Sequence, residues 1–407
     1  MVSCKRRRNN VFAPVASDIL TTLPADVLFE IIARTDFLTV VRCAAVCKHL
    51  RRDILSPQFI HGITQKVAPS ILTYSTYDDW PITVVHPVRP TVMSLCRNQL
   101  SPYMSRCTAK LFSRYEPLTS RGGLIVLRRK HINARPKSKR CSDKCVYDPM
   151  TGHHTFLSRP TGIKSIKNNL QVYVPLTAAD GIDCSFMLLF ADLYGCSIKV
   201  QTATSSSCTW GPVTAHARNL DFPRMFVWAD TAPAVVRGGI IHWLVFNGKQ
   251  ILTYDVRTGT PRMVKPPLTK CKANKLYLAT SPDRNLLKLL AIEGFKISVW
   301  LRLHTVPAGG GGGGGGWSLE NIIDIGENLR SVCPNIPLEC GTDVVIKFEG
   351  SGKRSGDVVL LRVCEKGRYS ALVVFYLKTK EIHTQKERSS MLEIDLPYCL
   401  QTMKVFS

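Results

Sequence analysis

A repeated pattern of turn residues constrains the fold of this 407-residue chain more than any other feature. In each of two copies, Arg-Gly-Gly precedes a short apolar run, and Tyr-Asp followed by Thr-Gly comes later, over residues 121–152 and 237–259. The Asp side chain can bond to its own backbone in a tight turn, and Gly supplies a positive φ. Such fixed punctuation between short strands is typical of a β-propeller or a related sheet repeat.

Short apolar runs between turn residues predict the strands of this repeat. They lie at residues 124–127, 240–246, 358–363 and 371–377, and a faded third copy of the turn pattern falls at 375–380. The roughly 290 residues from 121 to 407, at about 40–50 residues per blade, predict about six blades. Four tryptophans fit as blade-core aromatics: Trp210, Trp243, Trp300 and Trp317.

Residues 23–54 differ from the rest and predict three short helices. Pro24 fits the first turn of a helix, where its missing N–H is tolerated, and Asp26 suits the helix N-terminus. Apolar residues follow at helical spacing: Val27, Leu28, Ile31 and Ile32, then Val40, Val41 and Ala44 after a candidate N-cap at Asp36, then Val46, Leu50 and Ile54. A stretch this short cannot bury a self-sufficient core. Its apolar faces therefore need a partner.

This helical stretch resembles the F-box over residues 18–60. The resemblance rests on the Leu-Pro start, the Val-Leu pair, Val41-Arg42 and the Val-Cys-Lys element, in family order and spacing, with Leu50 where the family often has Trp. The later turn motifs resemble the kelch-like domains that follow the F-box in many plant proteins. The expected fold class is therefore an α+β multidomain protein, a small three-helix F-box followed by a mostly antiparallel, propeller-like β domain.

The F-box resemblance implies docking on a Skp-type adaptor and, through it, on a cullin–RING ubiquitin ligase. The implied adaptor-binding residues are Leu23, Pro24, Val27, Leu28, Ile31, Ile32, Val41, Val46, Cys47, Lys48 and Leu50. The β domain would bind an unidentified target for ubiquitination, and no catalytic residues are expected because the chemistry lies on other subunits. The helical pattern alone leaves another role open, a cap that packs on the following domain.

The net charge of +24 indicates a competing class, a basic nucleic-acid-binding protein of the nucleus without a ligase role. No recognised nucleic-acid module is visible, and aromatic residues do not alternate with the basic runs, so a nucleic-acid partner is not expected. The densest basic segment follows the strand predicted at 124–127, and as an exposed loop it would either be merely solvated or attract an acidic target. Its residues are Arg128, Arg129, Lys130, Arg135, Lys137, Lys139 and Arg140.

Cysteine usage and hydropathy predict the compartment. The 15 cysteines are irregularly spaced, no signal-peptide pattern precedes them, and no apolar stretch reaches membrane-spanning length. We therefore expect free thiols, a cytoplasmic or nuclear location and no membrane association. The basic run at residues 5–8 is either a nuclear import signal or a solvated start.

Three further motifs resemble cofactor sites, but none has the full pattern. Gly350 to Lys353 lacks the upstream glycine and the Ser/Thr of a phosphate loop, and more simply joins two strands. Cys141, Cys145, His153 and His154 match no common zinc spacing. The glycine run at 309–316 lacks a βαβ context and predicts a flexible loop. We expect no metal and no cofactor.

These patterns divide the chain into four parts. They are a disordered basic tail at 1–17, the F-box at 18–60, a proline-interrupted connecting segment at 61–120 and the β domain at 121–407.

Overall fold

The computed structural model describes two compact units. Residues 1–67 with 405–407 form the first, and residues 68–404 form the second. The described residues are 24–35, 37–46, 48–54, 56, 59, 71–75, 83–85, 111–130, 143–148, 153–160, 163, 171–193, 197–217, 233–245, 248, 250–267, 275–281, 283–303, 316–334, 344–348, 358–365, 368–385 and 389–393. Among these, no helix is long and apolar enough to cross a membrane.

In the described part of the first unit, three helices lie where the apolar spacing predicts them. They are α1 (Ala25–Ala33), α2 (Phe37–Val46) and α3 (Lys48–Ile54). The carbonyl of Pro24 accepts the first intrahelical bond, from the N–H of Leu28 at 3.1 Å. The N-cap predicted at Asp36 lies outside the described residues.

Antiparallel strands build the second unit. They are β1 (Ile71–Ser75), β2 (Thr83–Val85), β3 (Tyr115–Arg121), β4 (Leu124–Arg129), β5 (Lys144–Tyr147), β6 (His154–Leu157), β7 (Gln171–Thr177), β8 (Phe186–Asp192), β9 (Ser197–Thr204), β10 (Thr214–Ala217), β11 (Ala234–Val236), β12 (Ile240–Val245), β13 (Gln250–Asp255), β14 (Thr260–Val264), β15 (Leu276–Thr280), β16 (Leu287–Glu293), β17 (Lys296–Arg302), β18 (Trp317–Asp324), β19 (Val344–Phe348), β20 (Val358–Glu365), β21 (Arg368–Tyr376), β22 (Ile382–Gln385) and β23 (Ser389–Glu393). One helix, α4 (Gly326–Val332), follows β18. The four predicted strands correspond to β4, β12, β20 and β21.

Five four-stranded blades form a β-propeller, in agreement with the expected fold class. Blades 1 to 5 are the meanders β3–β6, β7–β10, β11–β14, β15–β18 and β19–β22, each hydrogen-bonded in chain order. The first strands of adjacent blades contact each other, β3 with β7 and β11 with β15. The first strand of each blade is therefore the inner one and the fourth is the outer one.

A sixth sheet of three strands joins the two ends of the second unit. Its order is β2-β1-β23, with Ile71 opposite Glu393. Strand β23 also contacts β3 of blade 1. The first strand therefore begins at Ile71, within the segment at 61–120 that the sequence predicts to be a connection. The sequence predicts about six blades, whereas the structure has five full blades and this closing sheet.

The predicted roles of the repeated turn residues are confirmed where the structure describes them. Arg-Gly-Gly forms the turn between the first and second strands of blades 1 and 3, with φ of +58° at Gly122 and +94° at Gly238. In the Tyr-Asp turn of blade 3, an Asp255 carboxylate oxygen accepts the backbone N–H groups of Arg257 and Thr258, at 2.9 and 3.3 Å. Gly259 ends that turn with φ of +68°.

The core lies between adjacent blades, and only one tryptophan is fully inside it. Trp243 is completely buried between blades 2 and 3. Trp300 and Trp317 are half-buried against the core between blades 3 and 4. Trp210 is also half-buried, so the expectation of four blade-core aromatics holds fully for Trp243 alone.

Two half-buried tryptophans instead join neighbouring blades at the rim. The indole N–H of Trp210 donates to the carbonyl of Ser158 at 2.7 Å. Trp210 lies just before the outer strand of blade 2, and Ser158 lies just after the outer strand of blade 1. In blades 3 and 4, Trp317 donates in the same way to the carbonyl of Lys265 at 2.8 Å. The propeller therefore repeats one inter-blade contact that the turn pattern does not reveal.

Candidate functional site

The helical unit has a small core made of residues from all three helices. Ile32, Val40, Ala44 and Ile54 are buried there. Of the implied adaptor-binding residues, Ile32 therefore belongs to the core, while Leu28 and Leu50 are half-buried. Leu23 and Cys47 lie outside the described residues, as does the side chain of Val41.

Exposed apolar side chains mark the outer surface of this unit. Val27 is 41% exposed, Ile31 is 48% exposed and Val46 is 75% exposed. Val27 and Ile31 are one helical turn apart on α1, and Val46 ends α2. All three belong to the adaptor-binding set that the F-box resemblance implies. Apolar side chains so exposed on so small a unit are suited to contact with a protein partner.

Charged residues lie close in sequence to these apolar residues. Asp26 and Lys48 are exposed, and Pro24 is exposed at the start of α1. On the same helix, Arg34 and Glu30 form an exposed i,i+4 ion pair at 3.0 Å. Exposed apolar residues together with exposed charged residues are the usual composition of a protein–protein contact.

In the second unit, a buried ion pair joins the inner turns of blades 1 and 2. The guanidinium of Arg121, at the end of β3, donates two 2.6 Å hydrogen bonds to the carboxylate of Asp180 and one of 3.0 Å to the carbonyl of Pro175. The N–H of Thr177 donates to the same carboxylate at 2.9 Å. Sequence reasoning missed this site because Arg121 and Asp180 are 59 residues apart.

The inner turns of blades 3 and 4 continue this connection. The N–H of Gly238 donates to the carbonyl of Asp180 at 3.0 Å, and the N–H of Arg237 donates to the carbonyl of Arg284 at 2.7 Å. Arg257 of the Tyr-Asp turn donates to the carbonyl of Gly181 at 2.8 Å. The Arg-Gly-Gly turns are thus parts of a hydrogen-bonded chain that crosses four blades.

The protonation state of Asp180 follows from these partners. Burial opposes its ionisation, but the charge and hydrogen bonds of Arg121, the charge of Arg284 and the N–H of Thr177 hold the pKa of the carboxyl below its ordinary value. Asp180 is therefore ionised at neutral pH and already bonded to several donors. This arrangement fixes the blades relative to one another and does not resemble a catalytic acid or base.

The described part of the basic segment lies at the end of β4. Arg128 and Arg129 are exposed and Lys130 is half-buried. Arg128 forms a 2.6 Å ion pair with Glu116. The remaining basic residues Arg135, Lys137, Lys139 and Arg140 lie outside the described residues, between the antiparallel partners β4 and β5.

The candidate zinc ligands Cys141, Cys145, His153 and His154 are poorly suited to binding metal where they are described. Cys145 is fully buried, and burial raises the pKa of its thiol to about 12, which disfavours the thiolate that binds metal. His153 and His154 are exposed, and Cys141 lies outside the described residues. The motif at Gly350–Lys353 also lies outside them, in the connection between the paired strands β19 and β20.

A polar groove of about 560 Å³ lies beside α4. Its lining residues are Glu327, Asn328, Ser331, Lys380, Glu381, Ile382 and His383. The Asn328 amide donates to the carbonyl of Lys380 at 2.6 Å, and the Ser331 hydroxyl donates to the carbonyl of Asn328. The Asn328 bond joins α4 to the outer hairpin of blade 5, whereas the Ser331 bond lies within α4. Among the described contacts, Ser331 has no base positioned to activate it.

Two family models match the sequence. The first, described as a domain of unknown function, DUF7595, matches residues 88–406. The chain belongs to the DUF7595 family. That match contains all five blades and β23. The second, the F-box domain, matches residues 20–60 and confirms the F-box resemblance of the helical stretch.

More distant comparisons add little to the family match. A search of curated proteins found no significant match. Among solved structures, a Lactobacillus plantarum protein is 11% identical over 69% of this chain and 71% of that chain, with a TM-score of 0.36. Prolyl oligopeptidase B from Galerina marginata is 11% identical over 66% of this chain and 33% of that chain, with a TM-score of 0.32. The DUF7595 chain thus spans about a third of that enzyme's length, and neither likeness bears on its function.

Proposed function

We propose that this DUF7595 protein is the substrate-recruiting adaptor subunit of a Skp–cullin–F-box ubiquitin ligase. The observation that carries the proposal is the exposure of Val27, Ile31 and Val46 on a three-helix unit that matches the F-box. These side chains would dock on a Skp-type adaptor. The propeller would bind the target, and the chemistry would lie on the cullin–RING subunits, so this chain would be non-catalytic.

We expect the variant Ile31→Lys/Val46→Lys to lose capture of a purified Skp-type adaptor by about tenfold or more, since 1.4 kcal/mol corresponds to tenfold. Both side chains are exposed, so a lysine at either position leaves the core intact while placing a charge in an apolar contact. The measurement is adaptor binding by the full chain, with circular dichroism to verify the fold.

The matched control is Leu303→Lys on the second unit, because Leu303 has the same 48% exposure as Ile31. It should bind the adaptor like the wild type. Wild-type adaptor capture by the double variant would rule out this surface as the dock. Recovery of nucleic acid from cells, with no adaptor, would favour the competing nucleic-acid-binding function.

We further propose that the basic segment after β4 draws in an acidic target by long-range attraction. Exposed charges are screened over about 8 Å at physiological ionic strength, so such binding should weaken as salt rises. We expect Lys137→Gln/Lys139→Gln/Arg140→Gln to elute from immobilised poly-L-glutamate at lower salt than the wild type. The same variant should lose non-specific retention on duplex DNA, which also depends on neutralising anionic groups.

A second triple variant controls for net charge. Lys296, Arg330 and Lys378 are exposed in the described part of the second unit, and changing all three to Gln removes the same total charge. If both triple variants elute alike, net charge alone explains retention and the basic segment has no special role.

A further inference from the structure

The outer strand of blade 4 differs from the other outer strands. As described, β6, β10 and β22 have four residues each and β14 has five, whereas β18 has eight. Natural sheets usually keep edge strands short, because a long exposed edge can pair with another chain. Among the described residues, β18 pairs only with β17.

The free edge of β18 is also exposed and partly apolar. Five consecutive residues, 318–322, are exposed. Leu319 is 44% exposed and Ile322 is 54% exposed. An eight-residue strand extends about 26 Å at about 3.3 Å per residue, which is long enough for a peptide to pair along it.

The hydrogen-bond register shows which backbone groups point to the free edge. The N–H of Leu303 bonds to the carbonyl of Gly316, and the N–H of Ile325 bonds to that of Phe295. Directly opposed residues in an antiparallel pair alternate between bonded and non-bonded positions. From these two fixed points, and with the register shift at Val299/Trp300, the non-bonded positions of β18 are Trp317, Leu319, Ile322 and Asp324.

Backbone N–H and C=O groups at non-bonded positions point away from β17 and toward the free edge. The two exposed aliphatic residues, Leu319 and Ile322, therefore also supply edge donors and acceptors. Their partners on β17, Trp300 and Ser298, are two residues apart, so Leu319 and Ile322 lie on the same face of the sheet. Leu319 and Ile322 are three residues apart, and in a regular strand an odd separation would place their side chains on opposite faces. The β-bulge, with Glu320 as its extra residue, brings both side chains to the same face.

Charge indicates which kind of peptide fits. Glu320, Asp324 and Glu327 are exposed, and no basic residue lies between Trp317 and Asn328, although the chain as a whole carries a net charge of +24. Glu320 forms a 3.3 Å ion pair with Lys288 but its side chain remains 42% exposed. A second copy of the chain paired along β18 would bring the exposed carboxylates of Glu320 and Asp324 near those of its partner, which is unfavourable.

We infer that β18 is a docking edge that adds an extended partner segment, rich in Lys or Arg and β-branched residues, as a further strand of blade 4. Main-chain hydrogen bonds at Leu319 and Ile322 would supply affinity, and the acidic side chains would select for basic residues. Strand β18 belongs to the second unit and the F-box match to the first, so the inference does not depend on adaptor binding.

The test uses the full chain and two fluorescein-labelled synthetic peptides of about ten residues, long enough to cover β18. One alternates Lys with Val, and the other has Glu in place of each Lys. By fluorescence anisotropy, the Lys peptide should bind at least about tenfold more tightly than the Glu peptide, because it complements the acidic edge. Equal binding of the two peptides would overturn the inference.

Variants at one position test the strand pairing itself. Ile322→Pro removes an N–H that points to the free edge and breaks no bond to β17, a change that edge strands tolerate. It should weaken binding of the Lys peptide by about tenfold. Ile322→Val keeps that N–H, so its affinity for the Lys peptide should be within about twofold of that of the wild type. Unchanged peptide binding by Ile322→Pro would contradict the inference, as would a wild-type dimer in light scattering that this variant abolishes.

Hydrogen–deuterium exchange of the wild type keeps the test valid if Ile322→Pro unfolds. The Lys peptide should slow exchange at residues 317–324, where edge amides gain partners. Protection confined to any other segment would place the peptide elsewhere and overturn the inference.

Discussion

Replacing Arg121 by leucine should lower the free energy of unfolding by about 3–5 kcal/mol, the usual effect of removing one partner from a buried ion pair. The variant would leave the carboxylate of Asp180 buried without its two guanidinium bonds. Because the pair joins the inner turns of blades 1 and 2, the loss should affect the whole propeller. Urea denaturation followed by tryptophan fluorescence measures it.

Arg128→Leu is the matched control, because the Arg128–Glu116 pair has the same 2.6 Å separation but side chains that are 51% and 37% exposed. Its loss should cost only about 0–1 kcal/mol. Similar destabilisation by the two variants would show that burial does not set the strength of the Arg121–Asp180 contact.

The effect of Arg121→Leu should also depend on pH. The pKa of Asp180 is held below its ordinary value in the folded chain, so its contribution is complete above the unfolded pKa of about 3.9 and is lost as pH falls through the folded pKa. The stability difference between wild type and variant should therefore be largest at neutral pH and shrink below about pH 4. A difference that stays constant down to acid pH would mean that Asp180 is not the partner responsible.

Trp243→Ala should destabilise the second unit by about 3–5 kcal/mol, because truncating a buried aromatic leaves a cavity. Trp243 is completely buried between blades 2 and 3. Within the described part of the chain, its indole N–H has no hydrogen-bond partner. Trp243→Phe should therefore cost much less than Trp243→Ala, since it retains most of the packing and removes an unsatisfied donor.

Trp317 provides the comparison for this prediction. Its indole N–H has a partner, the carbonyl of Lys265, so Trp317→Phe should cost the hydrogen bond as well as volume. Thermal unfolding of the single variants separates the two cases. Equal costs of Trp243→Ala and Trp243→Phe would show that the cavity is not the source of the destabilisation.

Local patterns in the sequence predict the elements of this fold better than the contacts between them. The helices of the first unit follow from apolar spacing, and the turn at Asp255 follows from the chemistry of Asp and Gly. Arg121 could be recognised as part of a turn, but its pairing with Asp180 depends on how two blades are placed. No residue pattern within either turn encodes that placement.

The candidate sites show the same division. The set of F-box residues could be named from spacing, but only the structure separates the buried Ile32 from the exposed Ile31. In β18, a single extra residue at Glu320 decides whether Leu319 and Ile322 share a face. A one-residue register shift leaves no mark in the sequence, because the same residues fit a regular strand.

The closing sheet has a consequence for how the protein is made. Strand β1 leaves the ribosome near the start of the second unit, but its partner β23 is translated only at the end of that unit. Folding of the nascent chain proceeds from the N-terminus, and contacts so distant in sequence form slowly. The blades can assemble one after another during synthesis, but the ring closes only when the last strand emerges, and until then β1 presents an open edge to chaperones and proteases.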